Sequence, residues 1–317
     1  MLLRLTSIRL CLMDVVSDAI SAVRIGQPSS HRLRVGGKWC TRLAPYDGAG
    51  FHVVLAGGCW LLPDGGGEPV TLGAGDVVLL PHGAGHVLAD SPGDTAVAVP
   101  FEEMRRPPRD PEGRGEVELL CGKYRLDSSR VHPLLAELPQ VVHLPNRVGA
   151  HPELRSAVDL LARELDERRP GSCLALPSLL DLLLVYMVRA WMARAETGAW
   201  PTVLSDPVTT TALRALHTDP AAAWTNDRLA AEAGVSRATL ARRFTALVGR
   251  PPMAYLTWWR LTLAATRLRA TDAPLAAVAR ETGYGTPYAL SHAFKREFGM
   301  TPGMYRSRLA SAQADRA

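Results

Sequence analysis

Two groups of side chains have types and spacing that could do chemistry. The first is a pair of polar series displaced by about 50 residues: Ser236, Arg237, Ala238, Thr239, Arg242 and Arg243, then Thr286, Tyr288, Ser291, His292, Lys295 and Arg296. Arginine can bond guanine O6 and N7 together, while Ser, Thr and Lys suit base edges or phosphates. The second group is His52, Trp60, His82 and His86 with the thiols Cys59 and Cys121. Imidazoles and thiols ligate, titrate or react according to their neighbours.

The first group sits on a repeat. Leu229-Ala230-Ala231-Glu232-Ala233-Gly234 aligns with Val278-Ala279-Arg280-Glu281-Thr282-Gly283, and Leu240, Phe244, Gly249, Pro252 and Tyr255 align with Leu290, Phe294, Gly299, Pro302 and Tyr305. The second copy holds one extra residue in its turn. Each copy has helix-turn-helix grammar: a small alanine for close helix approach, a glycine for a turn needing positive φ, then a hydroxyl N-cap. Ser236 is that cap in the first copy; Thr286 with Pro287 at the first helical position supplies it in the second. Leu240/Phe244/Leu247 and Leu290/Phe294 form apolar stripes, which leaves the polar series outward. Pro252 to about Thr271, with Leu256, Trp259 and Leu263 at helical spacing, predicts one long helix joining the copies. Two heads entering successive major grooves must stand roughly 34 Å apart.

Charge agrees with that reading. The 317 residues carry a net +5, but from Asp206 onward 15 Lys/Arg face 8 Asp/Glu, a net +7, leaving the remainder at −2. A polyanion suits the basic third. With 47% hydrophobic and 21% charged residues, the chain excludes global disorder, and its length suits two domains or more. The five cysteines, Cys11, Cys40, Cys59, Cys121 and Cys173, show no CxxC and read as reduced thiols of a cytoplasmic protein.

Upstream, Phe51–Leu55, Cys59–Leu62, Val70–Leu72 and Val77–Leu80 read as short strands separated by glycines, hence a sandwich or barrel. Residues 105–115 read as an exposed Pro/Arg-rich loop. Leu154, Val158, Leu161 and Leu165 mark a helix stopped by Pro170-Gly171. Leu176 to Met192 follows, apolar nearly all round; Pro177 and Asp181 argue against a membrane span. This pair is expected to form a helical bridge that dimerises the protein, with the core of a larger domain as the other reading. Residues 198–207, with two prolines, read as a linker. The expected divisions are a possible extension at 1–12, a sensor at 13–145, the helical segment at 146–200 and the DNA-binding part at 201–317.

Asp206 to Arg306 resembles the AraC/XylS family of bacterial transcription regulators, through Val278–Tyr284, Phe294-Lys295-Arg296-Glu297-Phe298-Gly299, Thr301-Pro302 and Tyr305-Arg306. The resemblance implies a seven-helix, two-headed DNA-binding domain in which the first reading helix usually dominates. Ala289-Leu290 departs from that pattern, where aromatic residues are common. Gly75 to His86 is similar to the second motif of the cupin barrel, G-x5-P-x-G-x2-H. The first cupin motif is incomplete, because Val54 stands where a second histidine is expected and no Glu follows nearby. The expected fold is therefore α+β: a cupin-like β-barrel, a helical dimerisation bridge and an all-α double helix-turn-helix.

The functional expectation is a sequence-specific regulator bound to a double-stranded operator, with no catalytic residues, metal or cofactor. His52, Trp60, His82 and His86 are expected to line or rim a small-molecule effector pocket, or else to be structural histidines in a filled barrel. Cys59 and Cys121 are redox candidates, with Cys121 opening a Cys121-Gly122-Lys123 turn beside a cation that lowers its pKa. A homodimer, and RNA polymerase if the regulator activates, are the expected partners, without a membrane. The alternatives are a cupin metalloenzyme with an accessory DNA-binding domain, and a non-specific architectural DNA binder.

Overall fold

A computed structural model describes residues 14–93, 98–101, 117–126, 132–147, 149–167, 169–194 and 199–314. The expected 1–12 extension and the 105–115 loop lie outside these residues. The chain forms two units, one of residues 24–197 and one combining residues 1–23 with 198–317.

In the first unit, ten strands among the described residues form two sheets. They are β1 (Ser29–Val35), β2 (Cys40–Leu43), β3 (Ala49–Ala56), β4 (Gly58–Pro63), β5 (Val70–Gly73), β6 (Val77–Leu80), β7 (His86–Ala89), β8 (Val99–Pro100), β9 (Val117–Tyr124) and β10 (Val142–Leu144). One sheet runs β1-β9-β3-β6-β10 and the other β5-β4-β7-β2-β8, so the barrel expected from sequence is a pair of sheets rather than one closed ladder. Alternate residues meet between them: Leu33, Val54, Val78, Leu80, Leu119 and Cys121 from one sheet, Cys59, Leu61, Leu72 and Leu88 from the other.

The Cys121-Gly122-Lys123 turn is not formed. These residues lie inside β9, hydrogen-bonded to β1 on one side and β3 on the other. Gly122 is there for close packing: a Cβ would fall 2.3 Å from the Phe51 ring and 2.7 Å from the Ser29 carbonyl oxygen.

Helix α1 (Val15–Val23) precedes the strands, a short helix α2 (Pro133–Ala136) lies between β9 and β10, and two long helices follow β10. Helices α3 (Pro152–Glu167) and α4 (Ser172–Arg194) pack on each other, with Ser172 Oγ donating to Glu164 at 2.6 Å. Helix α4 is long and apolar enough to cross a membrane by length and composition, with mean hydropathy 1.7. Its polar attachments tie it to the sheets: Tyr124 Oη donates to the Leu180 carbonyl at 2.6 Å, and Asp181 pairs with Arg24.

The second unit is helical. It contains α1, α5 (Ala199–Ser205), α6 (Pro207–Thr218), α7 (Asn226–Glu232), α8 (Arg237–Val248), α9 (Pro252–Ala270), α10 (Leu275–Glu281), α11 (Pro287–Phe298) and α12 (Pro302–Ala314). The expected 198–207 linker is instead largely α5, anchored by fully buried Trp200 and Val203. Its prolines do not forbid this, since Pro201 and Pro207 occupy first turns, where the missing N–H costs nothing. Helix α1, expected within the sensor, packs on α6 and α9 of this unit.

Candidate nucleic-acid interface

Helices α7 and α8 form one helix-turn-helix, α10 and α11 the other. Gly234 and Gly283 turn with φ +66° and +76°, left-handed values that glycine adopts without strain. Ala230 and Ala279 are buried where the paired helices meet. Ser236 Oγ accepts from the Thr239 N–H at 3.2 Å, and Thr286 Oγ accepts from the Ala289 N–H at 3.1 Å. Both reading helices are 12 residues long and end at a left-handed glycine, Gly249 or Gly299.

Helix α9 supports both heads. Near its start Tyr255 packs edge-on against Phe244 of α8, ring centroids 5.7 Å apart. Farther along, Leu261, Ala264, Ala265 and Leu268 join Val278, Leu290 and Phe294 in one core. Leu263, expected on the packing stripe, is only half-buried. Arg260 Nε donates to the Pro220 carbonyl at 2.6 Å, fixing the approach to α7.

The polar series lies mostly outward. Arg237, Ala238, Arg242, Arg243, Tyr288, His292, Lys295 and Arg296 are exposed, as are the caps Ser236 and Thr286; Thr239 and Ser291 are half-buried. Their freedom differs. Arg243 stands 3.4 Å from Asp206 and Arg237 stands 3.8 Å from Asp227, whereas Arg242 has no carboxylate partner among the described residues. Desolvation pushes the Asp206 carboxyl upward, but its hydrogen bonds to Thr209 and the charge of Arg243 outweigh that and hold it below its ordinary range. Thr239 is further engaged through its hydroxyl, 2.9 Å from Ser236 Oγ.

The histidines of the sheet unit do not converge on one pocket. His52 on β3 and His86 on β7 meet between the sheets, Nε2 to Nε2 at 2.7 Å, each 2% exposed. His82 is exposed and reaches the Leu138 carbonyl at 2.7 Å. Trp60, half-buried, alternates with the inward Cys59 and Leu61 of β4 and so points to the other face.

The pair's proton inventory follows from its contacts. His86 Nδ1 lies 3.0 Å from the Ala84 carbonyl, so it carries the hydrogen and donates. Neutral His86 then has a lone pair on Nε2, and His52 Nε2–H donates to it. His52 Nδ1 is left as a buried acceptor with no hydrogen-bond partner among the described residues. Burial, followed by the charge of His86, holds the His52 pKa well below its ordinary value; burial lowers that of His86.

These residues do not fit a metal. Two imidazoles already spend their facing nitrogens on each other, and no group of three or more metal-ligating residues occurs among the described residues. The thiols also differ from expectation. Burial pushes Cys59 up to about 12 and raises Cys121 further, so Lys123 does not activate Cys121. Both remain free thiols with little thiolate at neutral pH.

Comparison with known proteins accounts for both units. A family model described as Cupin matches residues 14–193, and one described as Helix-turn-helix domain matches residues 229–308. The chain is 37% identical over 303 residues to a Streptomyces lividans protein described as an AraC-like transcription regulator, covering 93% of this chain and 98% of that one. It is 29% identical over 300 residues to the HTH-type transcriptional regulator MtrA of Neisseria gonorrhoeae, with coverage of 93% and 98%. With the RCS-specific HTH-type transcriptional activator RclR of Escherichia coli it shares 30% identity over 246 residues, 77% of this chain and 79% of the relative. Two exposed reading helices on a shared bridge, preceded by a cupin domain, thus have a family context: the chain belongs to the AraC-like, DNA-binding transcription regulators.

Proposed function

We propose that α8 and α11 grip a double-stranded operator and that a small molecule acting on the sheet unit alters this grip. The observation carrying the DNA side is the duplicated outward series, mounted on capped helices and joined by α9. Arg242, which has no carboxylate partner among the described residues, is the residue assigned to guanine. On the sensor side, the spare acceptor at His52 Nδ1 favours a small hydrogen-bond donor over an oxidant, since the nearby thiols are buried and protonated.

The regulator is proposed to act in the cytoplasm as a homodimer through segment 146–200. Leu160, Leu174 and Leu182 support this, being 44%, 78% and 39% exposed on α3 and α4. RNA polymerase is the further partner if regulation is positive. No catalytic turnover is assigned.

The test is footprinting and titration on a selected operator with Arg242→Ala. Loss of one bidentate base contact is expected to cost about 1–3 kcal/mol and to relax preference at one guanine. Unchanged affinity and preference would remove Arg242 from its role.

A further inference from the structure

The two heads share a backbone but not a reading chemistry. Helices α8 and α11 have equal length, equivalent hydroxyl caps and equivalent terminal glycines, so residues 50 apart occupy the same place on each head. Leu240 and Phe244 face inward on α8 where Leu290 and Phe294 do on α11. The outward positions therefore pair as Ala238 with Tyr288, Arg242 with His292, Thr245 with Lys295 and Ala246 with Arg296.

On α8, Arg237 and Arg243 stand beside Asp227 and Asp206, and the row at four-residue spacing, Ala238, Arg242 and Ala246, sets Arg242 between two small neighbours. Small side chains let the helix sit deep in a major groove, and Arg242 then reaches the guanine edge. On α11, Tyr288 fills the first turn. It is 80% exposed and makes no hydrogen bond or ring contact among the described residues. An aromatic ring held this far into solvent by a folded helix buries nothing in the free protein. The apolar group that a major groove offers such a ring is the thymine C5-methyl. Lys295 and Arg296, two turns farther along and exposed, suit phosphates that seat the helix without reading sequence.

We infer that the operator is chemically asymmetric, with a guanine contact under α8 through Arg242 and a thymine-methyl contact under α11 through the ring of Tyr288. The two subsites lie about one helical turn, roughly 10 bp, apart on one duplex face. This inference rests on the proposed operator-binding role of the two helices and adds what each one reads.

The test is selection of the full chain from a randomised duplex library, followed by titration of the selected site. Selected sites are expected to hold an invariant guanine in one half and an invariant thymine in the other. Replacing that thymine by deoxyuridine removes only the methyl group and is expected to weaken binding about three- to fivefold. Tyr288→Ala is expected to weaken binding to the thymine site by at least as much, and to abolish the difference between thymine and deoxyuridine. Tyr288→Phe should retain that difference. If selection yields a site but Tyr288→Ala still distinguishes thymine from deoxyuridine, or the halves hold no such thymine, the asymmetry is overturned while operator binding stands. Selection of no sequence at all would overturn the operator reading as well.

Discussion

A hydrogen bond between two buried imidazoles constrains protons as well as positions. His52 and His86 are both neutral between the sheets, and both have pKa values lowered by burial. The unfolded chain, with histidines near pKa 6.5, therefore binds protons that the folded sheets refuse. The sign follows: this contribution is fully present above about pH 6.5 and is lost as pH falls toward the lower folded values. Each histidine forced to stay neutral adds a slope of about 1.4 kcal/mol per pH unit over that window. Amide exchange in β3 and β7, measured at pH 7.5 and 5.5 and corrected for intrinsic rates, should show protection falling at the lower pH. The His52→Leu/His86→Leu double variant should lose most of that dependence. His86→Leu alone should be less stable than the double variant, because it strands the His52 Nε2–H. Equal pH dependence in the double variant would show that other groups set the response.

At the scale of elements, the reading helices begin with caps whose roles the sequence placed well. The sequence also offers Ser236 and Thr286 as DNA contacts, and each oxygen already accepts one N–H, from Thr239 and from Ala289. Ser236→Ala is accordingly expected to cost about 0.5–2 kcal/mol of stability. Ser236→Asp should restore the cap while placing a negative charge beside DNA phosphates, so thermal stability recovers and operator affinity does not. Recovery of both would remove Ser236 from the interface. The helix-turn-helix pairs were legible because caps, glycines and i, i+4 stripes are local. The sheet pairings were not, because Ser29 of β1 meets Lys123 of β9 across most of the sheet unit. Gly122 shows the same limit: Cys-Gly-Lys reads as a turn until Phe51 is known to cover the glycine.

For the whole molecule, chain order and packing part company at helix α1. It lies within the residues matched as Cupin, yet Val15, Val16, Ala19, Ile20 and Ala22 bury themselves in the helical unit. Asp18 accepts from His217 Nδ1 at 2.8 Å, His217 Nε2 bonds the Tyr255 hydroxyl at 2.8 Å, and the imidazole stacks on Trp259 with centroids 4.3 Å apart. The last turn is held too, since Thr266 Oγ1 and Arg269 donate to the Ala22 carbonyl at 2.9 and 3.0 Å. Helix α9, which carries both heads, is thus braced by a segment remote in sequence. No periodicity near residue 18 could announce a partner at residue 217. Asp18→Ala leaves a buried imidazole N–H without its acceptor and should cost about 1–3 kcal/mol; Asp18→Asn, which keeps an acceptor oxygen, should cost less. Deleting residues 1–23 should cost more than either substitution, because each large apolar side chain among those removed contributes about 1.5–3 kcal/mol of burial at most. Thermal unfolding of the three variants, read beside operator affinity, orders these effects. If the deletion melts with the intact chain and binds DNA equally well, α1 is not part of the DNA-binding unit's core, and the brace between Ala22 and α9 does not hold the heads.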